Sequence, residues 1–317
     1  MKINSVTIIC GLILLFAACS SAPQRPEPIP LTEEEIAFLK KLDDPETFSL
    51  VQDVPFLFPT LINLLTAWHD SALSQDEQKD VRISSNLKDI LSRRVYVNFD
   101  TIMDQLANGP PPNRVIAAAA LGFSRIPESE NFPQVYPRAV EALLGILDCG
   151  DDKIVENALL GLYILEDENM PLDKILDIMV QHHDPDVRAN AALAVQAVAS
   201  PRVGEKVLPY VLPALKDEEP KVRNHCILIA SRLNDKSTLS ALVELLNDPY
   251  ALIQANAAKA LGVLGTAHTC GHLIPLLGSR FPIVREHSLW ALCVLSGKDY
   301  GYEVKDWQEW WKESQGS

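Results

Sequence analysis

The sequence predicts an all-α protein, a right-handed α-solenoid of helical hairpins, and three observations support this fold class. One short segment recurs along the chain at intervals of 31 to 40 residues. Within each copy, apolar and small residues follow the 3.6-residue period of a helix. The 317-residue chain holds 22 prolines but only 14 glycines, a balance that fits many helix starts better than the turns of an all-β fold.

The first element is an N-terminal signal peptide, predicted over residues 1–18. Lys2 precedes an apolar run at residues 6–16, which is too short to span a bilayer comfortably. The run ends in Phe16-Ala17-Ala18-Cys19, which resembles the lipobox of bacterial lipoproteins. The resemblance implies cleavage before Cys19 and its lipidation with palmitate. An ordinary secreted protein with a chance cysteine is the alternative.

The lipobox resemblance also implies a location. A lipidated chain would be anchored in the bacterial cell envelope and face the periplasm, with the outer membrane favoured because a serine follows Cys19. Residues 19–31 are rich in Ser and Pro and predict an extended tether. Residues 32–53 are predicted to form capping helices, and Thr32 with Glu35 forms a plausible capping box.

The repeat array is predicted over residues 54–296. Each copy has a Leu-rich first helix, a turn with Asp or Pro, and a second helix that begins near a Val or Ile anchor. The anchors are Val81, Val115, Val155, Val187, Val222, Ile253 and Val284. Counted from each anchor, positions +4, +7 and +8 are apolar or small and share one helix face. Neighbouring repeats are therefore expected to cover that face.

Two segments match a known repeat family. Asp186-Val187-Arg188 followed by Ala191-Ala192, and residues 256–261 followed by Leu264-Gly265, resemble HEAT repeats of the bacterial PBS-lyase-like type. Residues 297–317 resemble a Trp-rich tail that follows such arrays. Its tryptophans, Trp307, Trp310 and Trp311, share one helix face and predict a C-terminal cap. An aromatic ligand surface is the alternative for this tail.

Two columns of polar residues accompany the second helices. The first, at position +1, holds Arg82, Arg188, Arg223 and Arg285. In HEAT arrays such an arginine commonly pairs with a turn aspartate, such as Asp186, so an ion-pair ladder is favoured over an anion-binding site. The second column, at position +3, holds Asn190, His225, Asn256 and His287, for which hydrogen bonds to neighbouring helices are favoured over a groove-facing role.

Composition and motifs exclude several kinds of chemistry. The net charge of −14 argues against a nucleic-acid partner, and the sequence contains no phosphate-binding loop, GxSxG or HExxH motif. His268, Cys270 and His272 could ligate zinc, but their spacing fits no standard zinc pattern. Some HEAT-like proteins are lyases that attach bilin chromophores, yet the resemblance covers only the scaffold. A metal-dependent or lyase-like enzyme, or enzyme subunit, therefore stays the alternative.

The favoured function is a non-catalytic, membrane-anchored scaffold that binds another envelope protein or an extended peptide. No cofactor, metal or small-molecule substrate is predicted. Positions +2, +6 and +9 lie opposite the buried stripe, and they give Asn224, Lys259, Glu286 and Trp290 as partner-binding residues. A purely structural role in the envelope is a third possibility.

Overall fold

The computed structural model describes residues 52–73, 77–125 and 134–315, and it places side chains in these ranges except at 71–83. Every regular element in the described ranges is helical, so the all-α prediction is confirmed there. None of the described helices combines the length and the apolar character that crossing a bilayer requires.

Several sequence predictions lie outside the described residues. These are the signal peptide at 1–18, the lipidation site Cys19, the tether at 19–31 and all but the last two residues of the predicted capping segment at 32–53. They stay predictions, as do the domain boundaries drawn from the sequence.

The chain divides into two compact units, Met1–Pro171 and Leu172–Ser317. The described helices of the first unit are α1 (Val54–Leu73), α2 (Glu77–Val97), α3 (Phe99–Asn108), α4 (Pro111–Leu121), α5 (Tyr136–Ile146) and α6 (Asp152–Leu165). Here α4 packs against α6 with little side-chain volume between them. A Cβ on Gly161 would come within 2.6 Å of the carbonyl oxygen of Ala118, so glycine is required for this close approach.

The second unit is a series of helical hairpins. Its helices are α7 (Asp173–Gln181), α8 (Pro185–Val198), α9 (Gly204–Ala214), α10 (Pro220–Leu233), α11 (Leu239–Leu245), α12 (Ala251–Leu264), α13 (Cys270–Leu273), α14 (Pro282–Ser296) and α15 (Val304–Gln315). The first helices α7, α9 and α11 pack on the second helices α8, α10 and α12. In the last hairpin, α13 and the 3₁₀ segment Ile274–Gly278 pack on α14. Successive second helices also pack on one another, from α8 through α10 and α12 to α14.

Local sequence explains where the second helices begin. Pro185, Pro220 and Pro282 occupy the first turns of α8, α10 and α14, where a missing backbone N–H costs nothing. The side chain of Asp184 accepts hydrogen bonds from the amides of residues 186 and 187 and so caps α8. The proline excess therefore marks helix starts in these hairpins, as the sequence predicted.

The predicted buried stripe lies in the core of the second unit. Position +4 is fully buried in all four second helices, where it holds Ala191, Cys226, Ala257 and Ser288. These side chains are small, so neighbouring helices can approach closely. Burial also raises the pKa of the Cys226 thiol, which keeps it protonated and inert.

The C-terminal helix α15 packs against α13 and the 3₁₀ segment of the last hairpin. Trp307 is fully buried, and its indole Nε1 donates a 2.8 Å hydrogen bond to the carbonyl oxygen of Gly301. Trp311 lies against Gly271, where an added Cβ would be 3.1 Å from its ring. The C-terminal helix therefore packs on the last hairpin, and the role of residues 297–317 as a cap stays a prediction.

Candidate functional site

The structure corrects the predicted phase of the partner-binding face. Asn224 at position +2 is only 4% exposed, and its Oδ1 accepts a 2.6 Å hydrogen bond from Nδ2 of Asn256 on the next second helix. Ala255, at +2 of α12, is fully buried. Position +2 therefore faces the following repeat, and the expected exposure of Asn224 was wrong. Glu286 at the same position is exposed because α14 is the last second helix of the series.

Position +9 also faces the following repeat. Gln196 and Gly262 occupy this position on α8 and α12, and both are buried. A Cβ on Gly262 would come within 2.8 Å of the Cβ of Ala291 on α14. Because positions +2 and +9 are seven residues apart, they lie on one flank of the helix. Neither position belongs to the exposed face in the interior of the series.

The exposed face consists of positions +6 and +10, which are four residues apart and therefore stack along one side of each helix. On the three successive helices α10, α12 and α14 these positions hold Leu228 and Arg232, Lys259 and Val263, and Trp290 and Val294. Val263 is 47%, Trp290 42% and Val294 52% exposed, which is unusual for large apolar side chains. We call these six residues the α10–α14 face.

Sequence reasoning found Lys259 and Trp290 but missed position +10. No local signal marked position +10 as exposed, because the rotation of each helix against its neighbours decides which flank is buried. The centre of positions +6 and +10 lies about 50° around the helix from the centre of the predicted positions +2, +6 and +9, enough to exchange a buried flank for an exposed one.

Trp290 is held in place by its neighbour helix. The ring lies over Gly262, where an added Cβ would be 2.7 Å from Cζ3 of the indole. One side of the ring therefore packs on the backbone of α12, and the rest is open. A rigid, half-exposed indole of this kind offers contact area at a small cost in conformational entropy.

The face is locally positive in an acidic protein. Arg232 is exposed and donates a hydrogen bond to the carbonyl oxygen of Gln196. Lys259 is half-buried and has no ion-pair partner among the described residues. His287 lies at its edge with Nδ1 3.0 Å from the carbonyl oxygen of Ala255. Burial and, to a lesser degree, the charge of Lys259 lower the pKa of His287, so the ring is neutral at pH 7.

Two members of the arginine column at position +1, Arg188 and Arg223, form the predicted ion pairs, but with different aspartates. Arg285 instead donates to the carbonyl oxygen of Ser279, and the side chain of Arg82 lies outside the described residues. Arg188 forms a bidentate pair with Asp217 at 2.9 and 3.0 Å, and Arg223 forms one with Asp248 at 2.8 and 3.0 Å. The suggested Asp186 instead accepts from Nζ of Lys221 at 2.9 Å. Both arginines are nearly buried and committed to carboxylates of the next repeat, so they are not free to bind an anion.

Three members of the polar column at position +3, His225, Asn256 and His287, contact neighbouring helices, as favoured from the sequence. Nδ1 of His225 lies 2.7 Å from Oε1 of Gln196, and Asn256 and His287 make the contacts given above. His225 is enclosed, and burial lowers its pKa to about 4. It is therefore neutral at pH 7 and serves to connect α10 with α8.

The predicted alternative metal site receives no support from the geometry. Cys270 is fully buried, and burial raises the pKa of its thiol to about 11, which opposes the thiolate that zinc needs. His268 and His272 are exposed on the flanking turn and helix. Among the described residues, these three do not form a group of converging ligand atoms. That the chain is not an enzyme stays a prediction.

Comparison with known proteins bears on the fold. The family model for HEAT repeats matches residues 172–262 and, in an overlapping second match, residues 208–293. No curated protein matches the chain.

Two solved structures resemble the chain at low sequence identity. Human deoxyhypusine hydroxylase in complex with glycerol shares 17% identity at a TM-score of 0.36, with 84% of this chain and 96% of that chain covered. The complex of CpcE and CpcF of phycocyanin lyase from Nostoc sp. PCC7120 shares 19% identity at a TM-score of 0.40, with 93% of this chain and 99% of that chain covered.

Proposed function

We propose that this HEAT-repeat chain is a non-catalytic scaffold whose α10–α14 face binds a protein or peptide partner in the bacterial cell envelope. The observation that carries the proposal is the exposure of Val263, Trp290 and Val294 together on adjacent helices. Contiguous exposed apolar side chains rimmed by charges are typical of interaction surfaces. The buried thiol of Cys270 and the pairing of the ladder arginines with carboxylates give no support to a metal site at Cys270 or an anion site at the ladder.

Membrane attachment is the second part of the proposal, and the N-terminal sequence supports it. Lipidation at Cys19 and the Ser/Pro-rich residues 19–31 would hold the repeats at the membrane surface on an extended tether. In cells, Cys19→Ser should move the protein from the membrane fraction to the soluble periplasmic fraction. A matched change at Cys149, which follows α5, should leave it on the membrane. A Cys19→Ser chain that stays membrane-bound would refute lipid anchoring.

Capture of partners from solubilised envelope tests the assigned face. The tested variant combines Lys259→Glu with Trp290→Ala. The control combines Lys305→Glu with Tyr302→Ala, since Lys305 and Tyr302 are also exposed but lie on or beside the cap helix α15. We expect the first variant to lose partners that wild type and the control retain.

Both double variants should keep the wild-type circular dichroism and melting temperature, because their side chains are exposed or half-buried. Identical partners for all three proteins would show that the scaffold does not use the α10–α14 face.

A further inference from the structure

We infer that the partner of the α10–α14 face is an extended peptide with an acidic residue about three positions from a bulky apolar residue. This inference rests on the proposed function and specifies its ligand. Three features carry it: the distribution of charge over the second helices, the position of Trp290, and the spacing between neighbouring helices.

Charge separates the second helices from the rest of the chain. The full sequence has 28 basic and 42 acidic residues. The four helices α8, α10, α12 and α14 reverse this balance, with six basic residues and two acidic ones. The basic residues are Arg188, Lys221, Arg223, Arg232, Lys259 and Arg285, and the acidic ones are Asp186 and Glu286.

Three of these six basic groups are already paired with carboxylates, and two of the other three point to the ligand. Arg188, Arg223 and Lys221 have carboxylate partners. Arg232 contacts a backbone carbonyl, and Lys259 has no ion-pair partner among the described residues. Both side chains lie on the α10–α14 face. A carboxylate of a partner would supply the missing counter-charge, whereas a basic peptide would add repulsion.

The apolar part of the face lies on α14, next to Lys259. Trp290 and Val294 form one turn of exposed apolar surface, and Val263 extends it onto α12. Glu286, one turn before Trp290, is exposed and has no ion-pair partner among the described residues. Acidic residues of the ligand are therefore repelled at the α14 end and attracted over α10 and α12, which places the apolar part of the peptide over α14 and its acidic part over the other two helices.

The spacing of the ligand residues follows from helix packing. Neighbouring packed helices have axes about 8–10 Å apart. A peptide in the extended polyproline II conformation advances about 3.1 Å per residue and presents every third side chain to the same side. A peptide that crosses from Lys259 on α12 to Trp290 on α14 therefore needs its acidic and apolar side chains about three positions apart. A second acidic residue about three positions further would reach Arg232 on α10.

Peptide binding to the full chain in detergent tests the inference by fluorescence anisotropy. The probe is a fluorescein-labelled Gly/Ser peptide with two adjacent glutamates and, three residues on, a Leu-Phe pair. One twin replaces the glutamates by lysines, and another replaces Leu-Phe by serines. We expect the probe to bind at least about tenfold more tightly than either twin, with an affinity that falls as salt rises.

Variants of the chain assign the two contacts. Lys259→Glu should reverse the preference, so that the lysine twin binds better than the probe. Trp290→Ala should weaken the probe about 30-fold, as is typical of an aromatic hot spot, and Val294→Ser should weaken it in the same direction without touching Gly262. Lys305→Glu and Tyr302→Ala should leave binding unchanged.

Several outcomes would overturn the inference. One is that the lysine peptide binds the wild-type chain as tightly as the probe does. The scaffold proposal would then stand, but with a different ligand. Another is a charge preference that Lys259→Glu does not alter. Self-association that Trp290→Ala abolishes would assign the face to a second copy of the chain. If none of the three peptides binds, the inference fails, and envelope capture decides separately on the scaffold.

Discussion

Removal of the Arg223 guanidinium should be among the most damaging single changes in the second unit. Arg223 connects α10 to the next repeat through its bidentate pair with Asp248. Its Nη1 also donates to the carbonyl oxygens of Asp217 and Glu218, at 2.8 and 3.0 Å, and so fixes the turn before its own helix. Arg223→Met keeps the apolar stem of the side chain and removes all four hydrogen bonds.

The size of the stability loss in Arg223→Met follows from the burial of the ion pair. The side chains of Arg223 and Asp248 are 9% and 4% exposed, so the carboxylate left behind cannot be rehydrated without opening the structure. Breaking a buried pair in this way costs about 3–5 kcal/mol. Arg285 offers a matched comparison, because its Nη1 also donates to a turn carbonyl, of Ser279, and no carboxylate pair to it is present among the described residues. Arg285→Met should cost only about 1 kcal/mol.

Urea unfolding and hydrogen exchange together measure this difference. Amides of α10 and α12 should exchange about a hundred- to a few thousand-fold faster in Arg223→Met, since about 1.4 kcal/mol corresponds to a factor of ten. Adding Asp248→Leu should restore most of the loss, because the buried charge is then gone. The reasoning is refuted if Arg223→Met and Arg285→Met have equal costs, or if Asp248→Leu adds to the damage.

Two further predictions concern pH and helix contact. His225 has a folded-state pKa of about 4 against 6.5 when unfolded. The unfolded chain therefore binds the extra proton first, and stability should fall by about 3 kcal/mol as pH drops from 6.5 to 4. His225→Gln should remove that part of the pH dependence in urea titrations. If the free energy of unfolding of this variant fell with pH as steeply as that of the wild type, the prediction would be contradicted. Gly262→Ala should destabilise by about 1–3 kcal/mol, because its Cβ would meet the Cα of Ala291 at 2.9 Å. Gly145→Ala, in open space on α5, should stabilise slightly, and equal urea midpoints for the two variants would count against the close approach.

Much of the second unit could be read from the sequence because its signals are local. Helix starts follow from Pro185 and Pro220, and the buried stripe follows from residues such as Ala191 and Cys226 at a fixed distance from each anchor. Both depend only on the 3.6-residue period and on the chemistry of the first helical turn.

The remaining features depend on how far each helix is rotated against its neighbours, which no local signal encodes. Helical phase alone predicts similar exposure for Asn224 and Lys259. Asn224 is nevertheless buried against the next repeat, where it bonds Asn256, whereas Lys259 stays half-buried. The identity of the aspartate that meets each arginine has the same origin, since Asp217 in the turn before α10 and Asp186 in the first turn of α8 both lie near the start of a second helix. Which turn an arginine reaches is decided by tertiary packing.

The ladder also bears on how such an array can change by duplication or loss of a hairpin. Each ion pair of the ladder joins two hairpins. Its arginine lies at the start of one second helix and its aspartate lies in the turn of the next repeat, as in the pair of Arg223 and Asp248. At the following junction the corresponding residues are Gln254 and Ser279, which carry no charge. Because Arg188 and Arg223 meet aspartates at equivalent positions, duplication or loss of the hairpin between those two junctions again brings an arginine against an aspartate. Loss of the hairpin α11–α12 would instead bring Arg223 against Ser279 and leave a buried arginine without its counterpart. A hairpin of this array can therefore be duplicated or lost without a stability cost only where its two junctions carry the same pair of residue types.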